Sequence, residues 1–350
     1  SVEKAIELAK QVSKPKNYPW PGASSVVYPL MTTAAMQFAA RAYPAVIANR
    51  SVVKGVVLGR DDGVPMMGPQ GPVVDPMSGQ PAWQVPPGAL QARADRIGMH
   101  MSWQLLDEMP EWEPETDKLL HQLPIVGTLF RKTYFDSAAG RNKSLLVGAL
   151  KLVVNYWAKA LDVAPRITEE LEFYPYEIRE FERAGLWLER RHQASVDRGT
   201  DDDAPVAFWE QHRWLDLDED GYPEPYTVTV TKEGAQVVRI VARYEAEGVH
   251  FTEGPEGTPQ VARIVPLHFY TQYDFLPSLD GGIYGTGFGQ LLGPINASVN
   301  TTLNMLIDAG HLANTNGGFV AKSLSMQSGT LRWTMGEFKP VTVTAGTLRD

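Results

Sequence analysis

Asp280-Gly281-Gly282-Ile283-Tyr284-Gly285-Thr286-Gly287-Phe288-Gly289 opens the stretch whose reading decides the fold, and Gln290 to Ala313 continues it without a break. Apolar residues recur at Phe288, Leu292, Ile295, Val299, Leu303 and Leu306, in steps of three and four, which is helical period. Beside that stripe runs a row of amides, Asn296, Asn300 and Asn304, continued by Asp308. Side chains four apart share one helix face, so the spacing predicts a helix with one apolar edge and one polar, nearly uncharged edge. At 1.5 Å per residue its length comes to roughly 38 Å. Pro294 fits a first turn, and Asn314-Thr315-Asn316-Gly317-Gly318 supplies the stop.

The glycine elbow invites comparison with a phosphate loop. No Gly-Lys pair follows it, and G-x-x-x-x-G-K-[ST] occurs nowhere in the chain. Gly285, Gly287 and Gly289 also miss the spacing of a dinucleotide fingerprint, so the elbow reads as a flexible joint between a sheet and the helix. Leu105-Leu106-Asp107-Glu108 resembles the acidic end of an ATPase strand, but without a phosphate loop it reads as a helix face.

Upstream, residues 1 to 12 read as a short amphipathic helix and Met31 to Arg50 as a helix kinked at Pro44. Seven prolines and five glycines crowd residues 61 to 88, which makes that stretch a long loop. Ala89 to Met109 and Glu115 to Gln122 read as helices, with Pro114 suited to a first turn. From Pro124 the period changes. Ile125 to Tyr134, Leu145 to Tyr156, Val206 to Leu217, Tyr226 to Thr231, Gln236 to Tyr244 and Val261 to Tyr273 have the composition of strands, with one helix, Tyr174 to Glu189, among them. Short strands return between Phe319 and Leu348.

The 350 residues allow two or three domains, and the net charge of −9 argues against a sequence-reading grip on DNA. With no cysteine, disulfides and thiolate metal sites are excluded. The seven histidines are scattered, and neither H-E-x-x-H nor G-x-S-x-G is present, so no catalytic, cofactor or metal residue is assigned. Asp216-Leu217-Asp218-Glu219-Asp220-Gly221 imitates the start of a calcium loop, but its twelfth position is Thr227 rather than a bidentate Glu, and a hairpin turn is the better reading. No apolar run is long enough for a membrane helix.

Several stretches, taken in order, resemble the portal proteins of tailed bacteriophages, of the branch with large subunits. They are Trp20-Pro21-Gly22-Ala23-Ser24-Ser25 leading to Tyr28-Pro29-Leu30; Leu123-Pro124-Ile125-Val126-Gly127-Thr128 with Arg131-Lys132-Thr133-Tyr134-Phe135-Asp136; Val153-Val154-Asn155-Tyr156 followed by Arg166-Ile167-Thr168; Leu215 to Pro225; and Asp280 to Gly310. The resemblance implies an α+β, ring-forming subunit without enzymatic activity. Its expected parts are a wing over residues 1–280 (helical over 1–123, sheet-rich over 124–280), an elbow and first stem helix over 281–313, and the start of a β clip over 314–350.

Twelve copies are expected at one capsid vertex of the virion. Double-stranded DNA passes through without being read, a terminase motor and head-tail connector or adaptor proteins dock, and major capsid and scaffolding proteins lie around the ring. On this reading Asn296, Asn300, Asn304 and Asp308 face a neighbouring subunit or the channel, and Lys322, Arg332 and Lys339 meet a clip partner. A second stem helix, a channel loop and a crown would complete the family pattern, so the chain is expected to be a piece of a longer protein. Two other functions compete: a metal-dependent hydrolase using the acidic turn 216–220, and a different virion connector ring protein.

Overall fold

The computed structural model describes residues 2–18, 20–47, 51–68, 71–77, 81–137, 139–190, 203–253, 259–278, 280–314, 318–321 and 338–341. Helices and sheets both contribute substantially, so the chain is of mixed α+β class. It divides into two compact units. One comprises residues 1–37, 124–126 and 286–350, the other residues 38–123 and 127–285. The first 37 residues fall in the same unit as the long helix.

In the first unit, α1 (Val2–Ala9) buries Ala5, and α6 (Phe288–Leu291) is a single turn. A Cβ on Gly289 would stand 2.4 Å from the Cβ of Ala5, so only glycine allows this approach of α6 to α1. After a one-residue break at Leu292 comes α7, Gly293–Asn314, with Pro294 near its start as the sequence predicted. Beyond it, β15 (Gly318–Ala321) and β16 (Phe338–Val341) pair in parallel. The start of α2 (Leu30–Val46) lies in this unit and the rest of it in the other; Pro44 sits inside the helix close to its end.

The second unit begins with short pairings, β1 (Val64–Pro65) with β4 (Trp83–Val85) and β2 (Met67–Gly68) with β3 (Gly71–Pro72), inside the proline-rich stretch. Helix α3 (Ala89–Trp103) runs into a π-helical turn, Gln104–Glu108. Helix α4 (Trp112–Val126) continues four residues past its expected end, through Pro124, and stops at Gly127, whose φ of 96° disfavours any side chain.

Two antiparallel sheets follow. One has the order β14 (Tyr270–Asp274), β5 (Thr128–Asp136), β6 (Arg141–Val147). The other is a five-stranded meander of β7 (Leu152–Val154), β8 (Arg166–Phe173), β9 (Val206–Leu215), β10 (Glu224–Thr231) and β11 (Val237–Ala242). A separate hairpin joins β12 (Val249–Glu253) to β13 (Pro259–Ile264).

Alternation along β9 sends Val206, Phe208, Glu210 and His212 to one face. Val206 and Phe208 pack with Ile178 of α5 (Pro175–Arg183) and with Trp187 and Val238. Further along, Ile167 and Leu152 share a core with Phe130, Val147 and Tyr270 of the three-stranded sheet. One face of the meander is thus covered by a helix at one end and by a second sheet at the other.

Candidate functional site

Helix α7 is the element that carries the site, and its faces are used in an unusual way. The amide row is covered by the chain's own extended segment, Ser24–Tyr28. The backbone N–H of Ser24 donates to Asp308 Oδ1 at 2.8 Å, that of Val26 to Asn304 Oδ1 at 2.8 Å, and that of Tyr28 to Asn300 Oδ1 at 2.8 Å. Asn304 Nδ2 donates back to Val26 O at 2.9 Å, and Ser24 Oγ donates to Asn304 Oδ1 at 2.6 Å.

The register has a simple cause. Two residues of extended chain advance about 6.6 Å, and four residues of helix advance about 6.0 Å. A helix with a hydrogen-bonding side chain at every fourth position can therefore stand in for a neighbouring β-strand. Running antiparallel, residues 24, 26 and 28 meet 308, 304 and 300 in turn. The next pair would be residue 30 with Asn296. Leu30, however, has already turned into α2, its N–H donating to Tyr28 O at 2.9 Å. Asn296 is left fully buried, with neither its side-chain oxygen nor its nitrogen hydrogen-bonded.

This corrects the expectation for Asn296 and Asn304, which are 0% and 5% exposed within a single chain. Asn300, Asn304 and Asp308 all accept hydrogen bonds from the segment Ser24–Tyr28, and Asn300 and Asp308 stay half-buried. Several apolar residues of the same helix are instead on the outside, with Leu303 and Ile307 half-buried. Ile295 is 54%, Val299 36%, Met305 65% and Leu306 67% exposed. The helix carries one carboxylate, Asp308, and no lysine or arginine, so this outer face is apolar and uncharged.

Lys322 and Arg332 lie outside the described residues. Lys339 falls on β16, the partner of β15.

The second unit holds a cluster of buried ionisable groups that sequence reasoning missed. Glu169 of β8 lies directly opposite Glu210 of β9. Two like charges so placed repel. Lys132, reaching across from β5, resolves the conflict, with Nζ at 2.7 Å from Glu169 Oε2 and 2.7 Å from Glu210 Oε1. Tyr270 of β14 donates its hydroxyl to Glu169 Oε2 at 2.7 Å, and His212 Nε2 stands 3.5 Å from Glu210 Oε1.

Burial disfavours charge on Glu210, but the charge and the hydrogen bond of Lys132 outweigh it and hold its pKa at about 2. Burial pulls His212 down, and burial together with the two glutamates pushes the Tyr270 hydroxyl well up. The adjoining cavity, lined by His212, Arg243 and Tyr270, measures only about 20 Å³, room for one water. The cluster joins two sheets and offers no substrate-sized space.

At the acidic turn the carboxylates of Asp216, Asp218 and Asp220 lie within 4.8 Å of one another and are exposed. All three serve the backbone: Gly221 N–H donates to Asp216 Oδ2 at 2.9 Å, Tyr222 N–H to Asp220 Oδ1 at 2.7 Å and Asp220 N–H to Asp218 Oδ1 at 3.4 Å. Strands β9 and β10 flank the turn, where a calcium loop of the kind considered has helices. The geometry is that of a hairpin connection.

No helix among the described residues is long and apolar enough to cross a membrane. No protein-family model matches the chain, and comparison with curated proteins finds no significant match.

Proposed function

We propose that the chain is a non-enzymatic, ring-forming subunit of a bacteriophage portal, with α7 as one stave of the channel wall. The observation that carries this reading is the arrangement of α7. Asn300, Asn304 and Asp308 of its polar row bond the chain's own backbone, while Ile295, Val299, Met305 and Leu306 stand exposed on an uncharged face. Burying side chains such as Ile295 and Leu306 against a like helix contributes roughly 1.5–3 kcal/mol each when burial is complete. A contact between two different patches of identical subunits closes into a ring when the rotation allows it. The resemblance of the stretches around Trp20, Leu123, Val153, Leu215 and Asp280 supports the same reading.

In this role the ring sits at a capsid vertex of the virion. The acidic balance, −9 overall, lets double-stranded DNA pass without the salt-sensitive grip of a basic lining. The segment after α7 is the docking region for a terminase motor and connector proteins. Light scattering and electron micrographs of the protein in full test the proposal. A closed ring of about twelve copies is the expected result. A strictly monomeric protein at every concentration overturns it.

A further inference from the structure

The segment Ser24–Tyr28 has a second edge. Its alternate N–H groups, on Ser24, Val26 and Tyr28, are committed to α7. On the other side, Ser13 Oγ donates to Ser25 O at 2.9 Å, and Lys16 bridges to Ala23. That pairing ends there: the N–H and C=O of Val27 make no hydrogen bond among the described residues.

This open edge lies in a groove of about 410 Å³ formed by α1, residues 12–16, residues 25–27 and α7. Leu8, Val12, Val26 and Val27 give it apolar surface. Lys4, Lys14 and Lys16 stand at its rim with a single carboxylate, Glu7, which pairs with Lys14 at 3.3 Å. Four lysines and two glutamates fall between residues 2 and 18, in a chain whose net charge is −9. The groove is a local basic surface on an acidic protein.

We infer that this groove binds an extended acidic peptide segment of a partner protein, added as a strand along Val27. Three features select that class of ligand. An unpaired N–H and C=O on one extended residue match the hydrogen-bond pair of a β-strand, which is how strand addition supplies affinity. The apolar surface takes alternate side chains of the incoming strand. The lysine rim attracts carboxylates and speeds encounter in a salt-dependent way. Nucleic acid would use the lysines but leave the apolar surface and the Val27 edge unused, which favours the peptide.

The inference does not depend on ring formation. A fluorescein-labelled octapeptide of alternating glutamate and valine, titrated with the whole protein and followed by anisotropy, tests it. Saturable binding that weakens with added salt is expected, with no binding of the matching lysine–valine peptide. The double variant Lys14→Glu/Lys16→Glu changes only exposed side chains and is expected to weaken binding at least tenfold. Removing the edge donor with Val27→Pro is expected to cost about tenfold. Should that variant shift the thermal midpoint, the acidic peptide N-methylated at alternate residues reads the same hydrogen bonds on the unaltered protein and is expected to lose binding equally.

Absence of saturable binding, binding unaffected by Lys14→Glu/Lys16→Glu, or full affinity of the N-methylated peptide overturns the inference. So does tighter binding of a labelled DNA oligonucleotide than of the acidic peptide, which would assign the groove to phosphate instead.

Discussion

The seam between α7 and Ser24–Tyr28 and the cluster around Lys132 both bury polar groups, and they solve that problem differently. In the seam, two amides and one carboxylate meet alternate backbone N–H groups over three steps of a repeating register. In the cluster, one ammonium bridges two carboxylates that face each other across adjacent strands and offsets their repulsion. The seam draws its specificity from geometry and gives out where the register ends, at Asn296. The cluster draws its strength from charge, and so depends on Lys132 being present between the two glutamates. Each region should fail in its own way.

The largest effect is expected from Lys132→Met, which leaves Glu169 and Glu210 buried and opposed. Breaking a buried ion pair by removing one partner costs about 3–5 kcal/mol. Chemical denaturation of the second unit should register that loss. Replacing all three residues together by apolar ones of similar volume should restore most of it.

Acid comes next. The folded pKa of Glu210, about 2, is below its ordinary value of 4.5. The stabilisation is therefore present in full above pH 4.5 and is lost as pH falls from there through 2, to the extent of roughly 3 kcal/mol. His212, whose pKa is also lowered by burial, adds a loss in the same direction starting near its ordinary 6.5. Denaturant midpoints of the second unit measured between pH 7 and pH 3 should fall steadily; a flat profile would refute the role given to the cluster.

Smaller, and confined to the seam, is the effect of Asn304→Leu. It leaves the Val26 N–H and C=O without their partner, at a cost of about 2–3 kcal/mol. Hydrogen exchange at the Val26 amide should accelerate while the amides of β9 stay protected. The smallest effect belongs to Asn296→Leu. Both polar atoms of Asn296 already lack partners, so its replacement by an apolar side chain should change the unfolding free energy by no more than about 1 kcal/mol, towards greater stability. A loss as large as that of Asn304→Leu would show that Asn296 has a partner after all.

Much of this architecture was legible in residue spacing. The period of Ile295, Val299, Leu303 and Leu306 locates α7, and the β-branched and aromatic runs locate β9, β10 and β11. What escaped did so for identifiable reasons. The strand β8 reads Arg-Ile-Thr-Glu-Glu-Leu-Glu-Phe, and its inward position at Glu169 looks like a surface residue until Lys132 is known to face it. The single strand expected over Leu145–Tyr156 is two, β6 and β7, because the chain turns at residues 148–151. Val261–Tyr273 likewise splits into β13 and β14 around Pro266, and β12 was not expected at all.

The spacing of the amide row was plain in the sequence, but its partner was not. Ser24 and Asn304 are 280 positions apart, and no local pattern announces that a strand will use a helix as its neighbour. Nor did the elbow's glycines reveal their work. A Cβ on Gly285 would stand 2.4 Å from Leu276 O, so this position answers a close approach rather than a need for flexibility.

The central claim is that the exposed apolar face of α7 holds copies of the chain together while the opposite face holds the chain itself. Light scattering of the protein in full, beside its Ile295→Asp/Leu306→Asp variant, tests it most directly. The account predicts a closed ring for the parent, and for the variant monomers with an unchanged thermal midpoint. A variant that keeps the ring, or a parent that never forms one, would contradict it.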